Sequence, residues 1–203
     1  MTAMPRFSSL VLALALTGCG PLVQIGGNAK PPASLLTLSA TTPPAAYAGP
    51  APTSASLAVE MPAVPLTLQT LRLPVTTSAT EVRYLTGATW AEQPNRQFQR
   101  LLADTLAAKG IAVVDPRATR TPPARTLTGT LGAFGLDVTD PMAPVVRVRF
   151  DAQLGTTRTA STVMLRRFDA VEPVSAQTPV AVATALNRAA NRVALDVASW
   201  VTG

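Results

Sequence analysis

Apolar residues recur along this chain with two periods, and each period predicts a different kind of element. Between Ser56 and Pro62 the stretch SLAVEMP alternates apolar and polar side chains until proline stops it, the pattern of a half-buried strand. EVRYL, from Glu81 to Leu85, alternates likewise, with Val82 and Tyr84 on one face and Arg83 on the other. From Trp90 to Gly110 the spacing lengthens to three and four residues. Phe98, Leu101, Leu102, Thr105 and Leu106 form one stripe of a helix, and Gly110 supplies its stop. IAVV, from Ile111 to Val114, reads as a short buried strand. The stretches RTLTGTLGAFGLDV, VVRVRFDAQL and STVMLRRFDAVEP then predict three strands in an antiparallel meander. The closing PVAVATALNRAANRVALDVASWV is a long helix with Pro179 at its start. Val182, Leu186, Ala189, Val193, Val197 and Trp200 mark its inner stripe. This order predicts an α+β fold, a mostly antiparallel sheet with two main helices packed on one face. The chain shows no internal repeat, glycine-rich phosphate loop or heptad array.

The first residues follow another rule. Arg6, the apolar run Leu10 to Leu16 and the small pair Thr17-Gly18 have the layout of a secretory signal, expected over residues 1–18. The run is short for a bilayer span, which takes about 20 residues. Directly after it stands Cys19, the only cysteine. Leu16-Thr17-Gly18-Cys19 resembles the bacterial lipobox, in which the thiol is diacylated and becomes the first residue. Cys19 is therefore the expected lipid attachment site. Gly20, where an aspartate would favour inner-membrane retention, points to the outer membrane, facing the periplasm, rather than the inner membrane.

Residues 19–55 are rich in Pro, Ala, Gly and Thr, a composition that buries too little apolar surface to offset chain entropy. They read as a tether that would extend up to about 100 Å in polyproline form. One stretch within it, Ser34 to Ser39 (SLLTLS), has the pattern of a short first strand. The folded domain is then expected over residues 56–203.

Charge and composition narrow the chemistry. The formal net charge of +6 comes mostly from arginine, and export makes nucleic acid an improbable partner. With no histidine, Ser-His-Asp and Cys-His triads are impossible, and the commonest metal ligand is absent. Lys30, in the tether, and Lys109, beside Gly110, make poor bases for a Ser-Lys dyad. Two carboxylate pairs remain, Asp137 with Asp140 and Asp169 with Glu172, both beside proline turns where acids usually bond backbone amides. No catalytic residue, metal or cofactor is expected. For binding, Trp90 is a candidate partner or lipid contact, set against a role in sealing the core. Arg147 and Arg149 share one strand face opposite Val146, Val148 and Phe150. They are candidates for phosphate headgroups or acidic partner loops, set against a merely solvated sheet face. Arg166 and Arg167 are adjacent and cannot share a face.

Together the lipobox Cys19, LLTLS, VPLTLQTLRLPV (Val64 to Val75), EVRYLTGATWAEQP, RLLADTLAAKG, VVRVRFDAQL and ALNRAANRVALDVASWV resemble the ABC-type transport auxiliary lipoproteins, the PqiC-like partners of MCE lipid-transport systems. The resemblance runs from about Leu35 to Trp200. It implies a non-enzymatic accessory subunit, anchored through Cys19, that works with an MCE-type periplasmic protein, an ABC permease and an ATPase to move lipid in the envelope. The alternative is an outer-membrane assembly or cell-wall-associated structural lipoprotein.

Overall fold

The computed structural model describes residues 34–44, 49, 53–115, 117–118, 122–156 and 163–203. The signal segment, Cys19 and the first part of the tether lie outside the described residues. In chain order the elements are β1 Leu57–Val59, β2 Arg72–Ser78, β3 Glu81–Thr89, α1 Pro94–Ala108, β4 Val113–Val114, β5 Arg125–Asp137, β6 Val145–Thr156, β7 Val163–Pro173 and α2 Pro179–Thr202.

All seven strands join one mixed sheet, so the fold is α+β as expected. The meander β5–β6–β7 is antiparallel throughout. The other edge of β5 is shared by two partners. β1 runs parallel to Arg125–Leu127, Ala63 bridges Thr130, and β2 runs parallel to Leu136 and Asp137. The chain thus follows β5 from residue 57 to 63, leaves it, and returns as β2. β3 pairs antiparallel with β2, and β4 parallel with β1.

The length of β5 poses a parity problem. Leu127 and Leu131 are odd-numbered, whereas Phe134 and Leu136 are even, so an unbroken strand would point them to opposite faces. A bulge resolves this: the ladder steps from Leu131 opposite Phe150 to Ala133 opposite Arg149. All four side chains are then buried with Val146, Val148, Phe150, Ala152 and Leu154 of β6.

The helices cover that face. In α2 the stripe Val182, Leu186, Ala189, Val193 and Val197 is fully buried, while Trp200 is half-buried and meets the Phe168 ring at 5.7 Å. The Phe98 ring of α1 meets that of Phe150 edge-on at 5.3 Å. Thr178 caps α2 by accepting from the Ala181 amide, and Pro179 fills its first position. α1 ends in a Schellman motif: the Gly110 amide donates to the Ala107 carbonyl and the Ile111 amide to that of Leu106. Gly110 takes the left-handed φ of 81° that this stop requires.

Two elements differ from the sequence expectation. α1 begins at Pro94, not Trp90, because proline is favoured in a first turn and its ring disfavours helical backbone just before it. Trp90 instead pairs with Leu36 in a parallel bridge. β2 is an additional strand whose sequence hides behind Pro74.

Gly129 faces the core, where an added Cβ would lie 2.7 Å from the Phe150 ring. Gly129→Val should cost about 2–3 kcal/mol through overpacking, read as a lower midpoint in chemical denaturation at unchanged m-value.

Candidate functional site

The stretch Ser34 to Ser39, read within the tether as a short first strand, is bound to the domain. The Leu36 amide donates to the Thr89 carbonyl at 2.8 Å, and the Ala91 amide donates to the Leu36 carbonyl at 2.9 Å. Beyond this bridge the strap is held by side-chain amides. The Leu38 amide donates to Gln97 Oε1 at 2.7 Å, Ser39 to Asn187 Oδ1 at 2.9 Å and Thr41 to Asn191 Oδ1 at 2.7 Å. Asn191 Nδ2 also donates to the Ser39 carbonyl at 2.9 Å, so this one side chain holds the strap by both its donor and its acceptor. Gln97 is itself fixed by donating to the Glu92 carbonyl at 2.8 Å. Gln97 and Asn191 are buried, and a buried amide left without partners would be costly. The strap therefore runs along α1 and α2, and residues 36–41 belong to the fold rather than to a free tether.

These three amides escaped the sequence reading because an isolated amide on a helix carries no pattern. The available signal was the pair Asn187 and Asn191, four apart and so on one helix face next to buried alanines.

The second surface is the sheet face away from the helices, where β5, β6 and β7 present half-buried or exposed side chains. Arg147 and Arg149 lie there, opposite buried Val146, Val148 and Phe150, as alternation predicts. Both are engaged within the chain: Arg149 Nε donates to Asp169 Oδ2 at 2.7 Å, and Arg147 reaches Asp169 at 3.4 Å and Asp137 at 4.0 Å. Arg167 pairs with Asp151, whose carboxylate holds the guanidinium pKa above its ordinary value through hydrogen bonding and charge. Three arginines thus meet three aspartates. The face carries a charge pattern of both signs rather than a cationic patch. Arg166 lies on the other face, over the Phe168 ring at 5.3 Å.

The paired acids do not converge. Asp137 accepts from the Thr139 amide and Asp140 from the Met142 amide, each at 3.0 Å, both closing a turn. Asp169 and Glu172 lie on opposite faces of β7. Asp169 faces the arginines above, while Glu172 pairs with Arg188 at 3.7 Å and Arg192 at 3.3 Å on α2. Glycoside hydrolysis needs two carboxyls across one cleft, and neither pair offers that. No cluster of three potential metal ligands occurs among the described residues.

Trp90 has no exposed surface, and its ring packs against Phe134 at 5.5 Å. In this conformation it seals the core and presents nothing to a partner. Its Nε1–H is buried without a hydrogen-bond partner among the described residues.

Two hollows flank these surfaces. One, of about 190 Å³, opens on the outer sheet face beside Arg147, with Gly132, Ala133 and Gly135 along β5 and Leu68, Pro74 and Val82 around them. The other, of about 460 Å³, lies between α1 and the edge strand β4, lined by Val59, Met61, Val114, Arg96 and Arg100.

Residues 36–198 match the family of ABC-type transport auxiliary lipoprotein components. No curated protein sequence matches the chain. Among solved structures, protein XCC0632 from Xanthomonas campestris, of the family DUF330, is similar with a TM-score of 0.64 at 20% identity, over 83% of this chain and 91% of that one. An uncharacterized protein is similar with a TM-score of 0.62 at 17% identity, over 73% of this chain and 92% of its own. At these identities the two structures show a shared fold.

Asn191→Ala removes both bonds to the strap and leaves the Thr41 amide and Ser39 carbonyl unpaired. It should cost about 1–3 kcal/mol in stability and speed hydrogen exchange at the Thr41 amide, with slower exchange retained across β6.

Proposed function

Because the chain belongs to the ABC-type transport auxiliary lipoprotein family, we propose that it is a lipid-anchored, periplasm-facing accessory subunit of a transporter and not an enzyme. The observation that carries this reading is the family match, which extends over residues 36–198 and takes in the strap, the sheet and both helices. In the fuller form of the proposal Cys19 carries the acyl chains in the outer membrane. The domain meets an MCE-type periplasmic protein, whose ABC permease and ATPase drive lipid movement. Diacylation supplies stable anchoring because each buried methylene adds about 0.8 kcal/mol. No metal, cofactor or nucleic acid enters this role.

The strap supports an adaptor that works near its own anchor. Among the described residues its first pinned residue is Leu36, seventeen residues beyond Cys19. At no more than about 3.6 Å per residue, the domain would stand within about 60 Å of the anchored cysteine. The outer sheet face supports recognition by charge pattern, with Arg147 and Arg149 held in fixed orientations by Asp169. Trp90 lies outside this proposed contact because it is buried.

Cys19→Ser should shift the protein from the membrane to the soluble fraction and abolish labelling by radioactive fatty acid; equal retention of the variant, with its signal removed, rejects the anchor. Full-length protein in detergent should capture the periplasmic MCE subunit, and Arg149→Ala, at an unchanged melting temperature, should weaken capture about tenfold. No capture at high micromolar concentration, together with unaltered envelope permeability on deleting the gene, would favour the structural-lipoprotein alternative.

A further inference from the structure

Exposed apolar residues gather where β2, β3 and the strap meet. Leu66 is 82% exposed, Leu35 54%, Val82 44% and Leu71 41%. Scattered singly, such residues are ordinary surface, but these belong to one corner of the domain. The Trp90 amide donates to the Leu71 carbonyl at 2.7 Å and Trp90 also bridges Leu36, so Leu71 and Leu35 flank a single backbone junction. Tyr84 lies opposite Pro74, and Val82, two residues away and on the same face of β3, lies opposite Thr76. The Tyr84 hydroxyl donates to the Thr67 carbonyl at 3.5 Å, which ties the turn carrying Leu66 to that ring. The Arg72 guanidinium lies 4.1 Å over the Tyr84 ring and remains exposed. The acids at the borders are engaged elsewhere, Glu81 by Arg83 and Glu92 by Arg100. Arg72 therefore sets the sign of an otherwise apolar corner.

Two observations say what covers it. The chain that leads back to Cys19 joins the described fold at this corner, because Leu35 precedes the pinned Leu36 and stands sixteen residues from the cysteine. The side chains also have the layout of an interfacial contact: aliphatic tips for the acyl boundary, a tyrosine whose ring suits headgroup depth, and an arginine whose fork suits phosphate. We propose that this corner rests on the membrane surface, with Leu35, Leu66, Leu71 and Val82 entering the boundary between headgroups and acyl chains and Arg72 meeting lipid phosphate. The inference rests on the anchored accessory-subunit reading above and adds to it the side of the domain that faces the bilayer. A weak contact suffices, since the tether holds the corner at high effective lipid concentration. β6 lies three strands from β3, about 14 Å away, so the contact leaves Arg147 and Arg149 to a protein partner.

The test attaches a polarity-sensitive, thiol-reactive fluorophore to Leu66→Cys. Leu165→Cys, 71% exposed on β7 and four strands from β3, is the aqueous reference. In full-length protein reconstituted into vesicles of phosphatidylethanolamine and phosphatidylglycerol, the label at residue 66 should be quenched by nitroxides on the lipid acyl chains and shielded from iodide, while the label at residue 165 should show neither effect. A second arm uses Cys19→Ser protein with its signal removed, which carries no acyl chain and so reads the corner independently of the anchor. Its label at residue 66 should shift to the blue with the same vesicles at millimolar lipid, and Leu35→Glu should raise the lipid concentration required about tenfold at unchanged melting temperature. Val82→Glu repeats the test should Leu35→Glu fold poorly. A positive second arm with no fatty acid on the full-length protein rejects the anchor and supports the corner. Iodide access at residue 66 equal to that at residue 165 overturns the proposal. So does a label shielded from iodide yet untouched by the lipid nitroxides, which would give the corner to a protein partner, and so does a vesicle response indifferent to both glutamate substitutions.

Discussion

The bulge between Leu131 and Ala133 is the constraint on which this fold turns. β5 touches β1, β2 and β6, and it must face one core along its whole length while its apolar residues change parity midway. With one extra residue accommodated, Phe134 lies opposite Val148 instead of Arg147, and both ends of the strand contribute to the same apolar layer. Were the ladder regular, Phe134 would meet water and the aromatic contact that seats Trp90 would be lost. The small residues of β5 belong to the same solution: an added Cβ on Gly135 would come within 2.6 Å of the Pro74 carbonyl, so glycine there lets β2 approach.

A second ordering device lies on the helix side. Three amide side chains make an irregular stretch of chain behave like an added element, satisfying backbone groups that have no strand to pair with. The two devices are linked through Trp90, which bridges the strap at Leu36 through its backbone and fills the core with its ring. Its unpartnered Nε1–H costs about 1–3 kcal/mol against a large apolar burial, a balance the ring's area can sustain.

Regular periodicity was readable in the residues and irregular structure was not. The meander and α2 announced themselves because long alternation and a long apolar stripe are properties of many residues at once. β2 did not, since Pro74 interrupts its pattern and its burial follows from neighbours distant in sequence. The faces of Arg147 and Arg149 were legible from alternation, but their ion pairs with Asp169 depend on the β6–β7 register. The strap was legible only as the pattern of a short first strand. Its partners lie about 60 and 150 residues away, where composition conveys nothing of hydrogen bonding.

The strap also has a mechanical meaning. Among the described residues, tension drawn along the amino-terminal segment meets the fold at Leu36, and from there it passes to β3 through the backbone, to α1 through Gln97 and to α2 through two asparagines. Because Asn187 and Asn191 grip Ser39 and Thr41 close together, with Asn191 holding both, a pull along the strap is borne by several bonds. The attachment is therefore a distributed joint, in which a modest steady pull is shared among the end of one sheet strand and both helices.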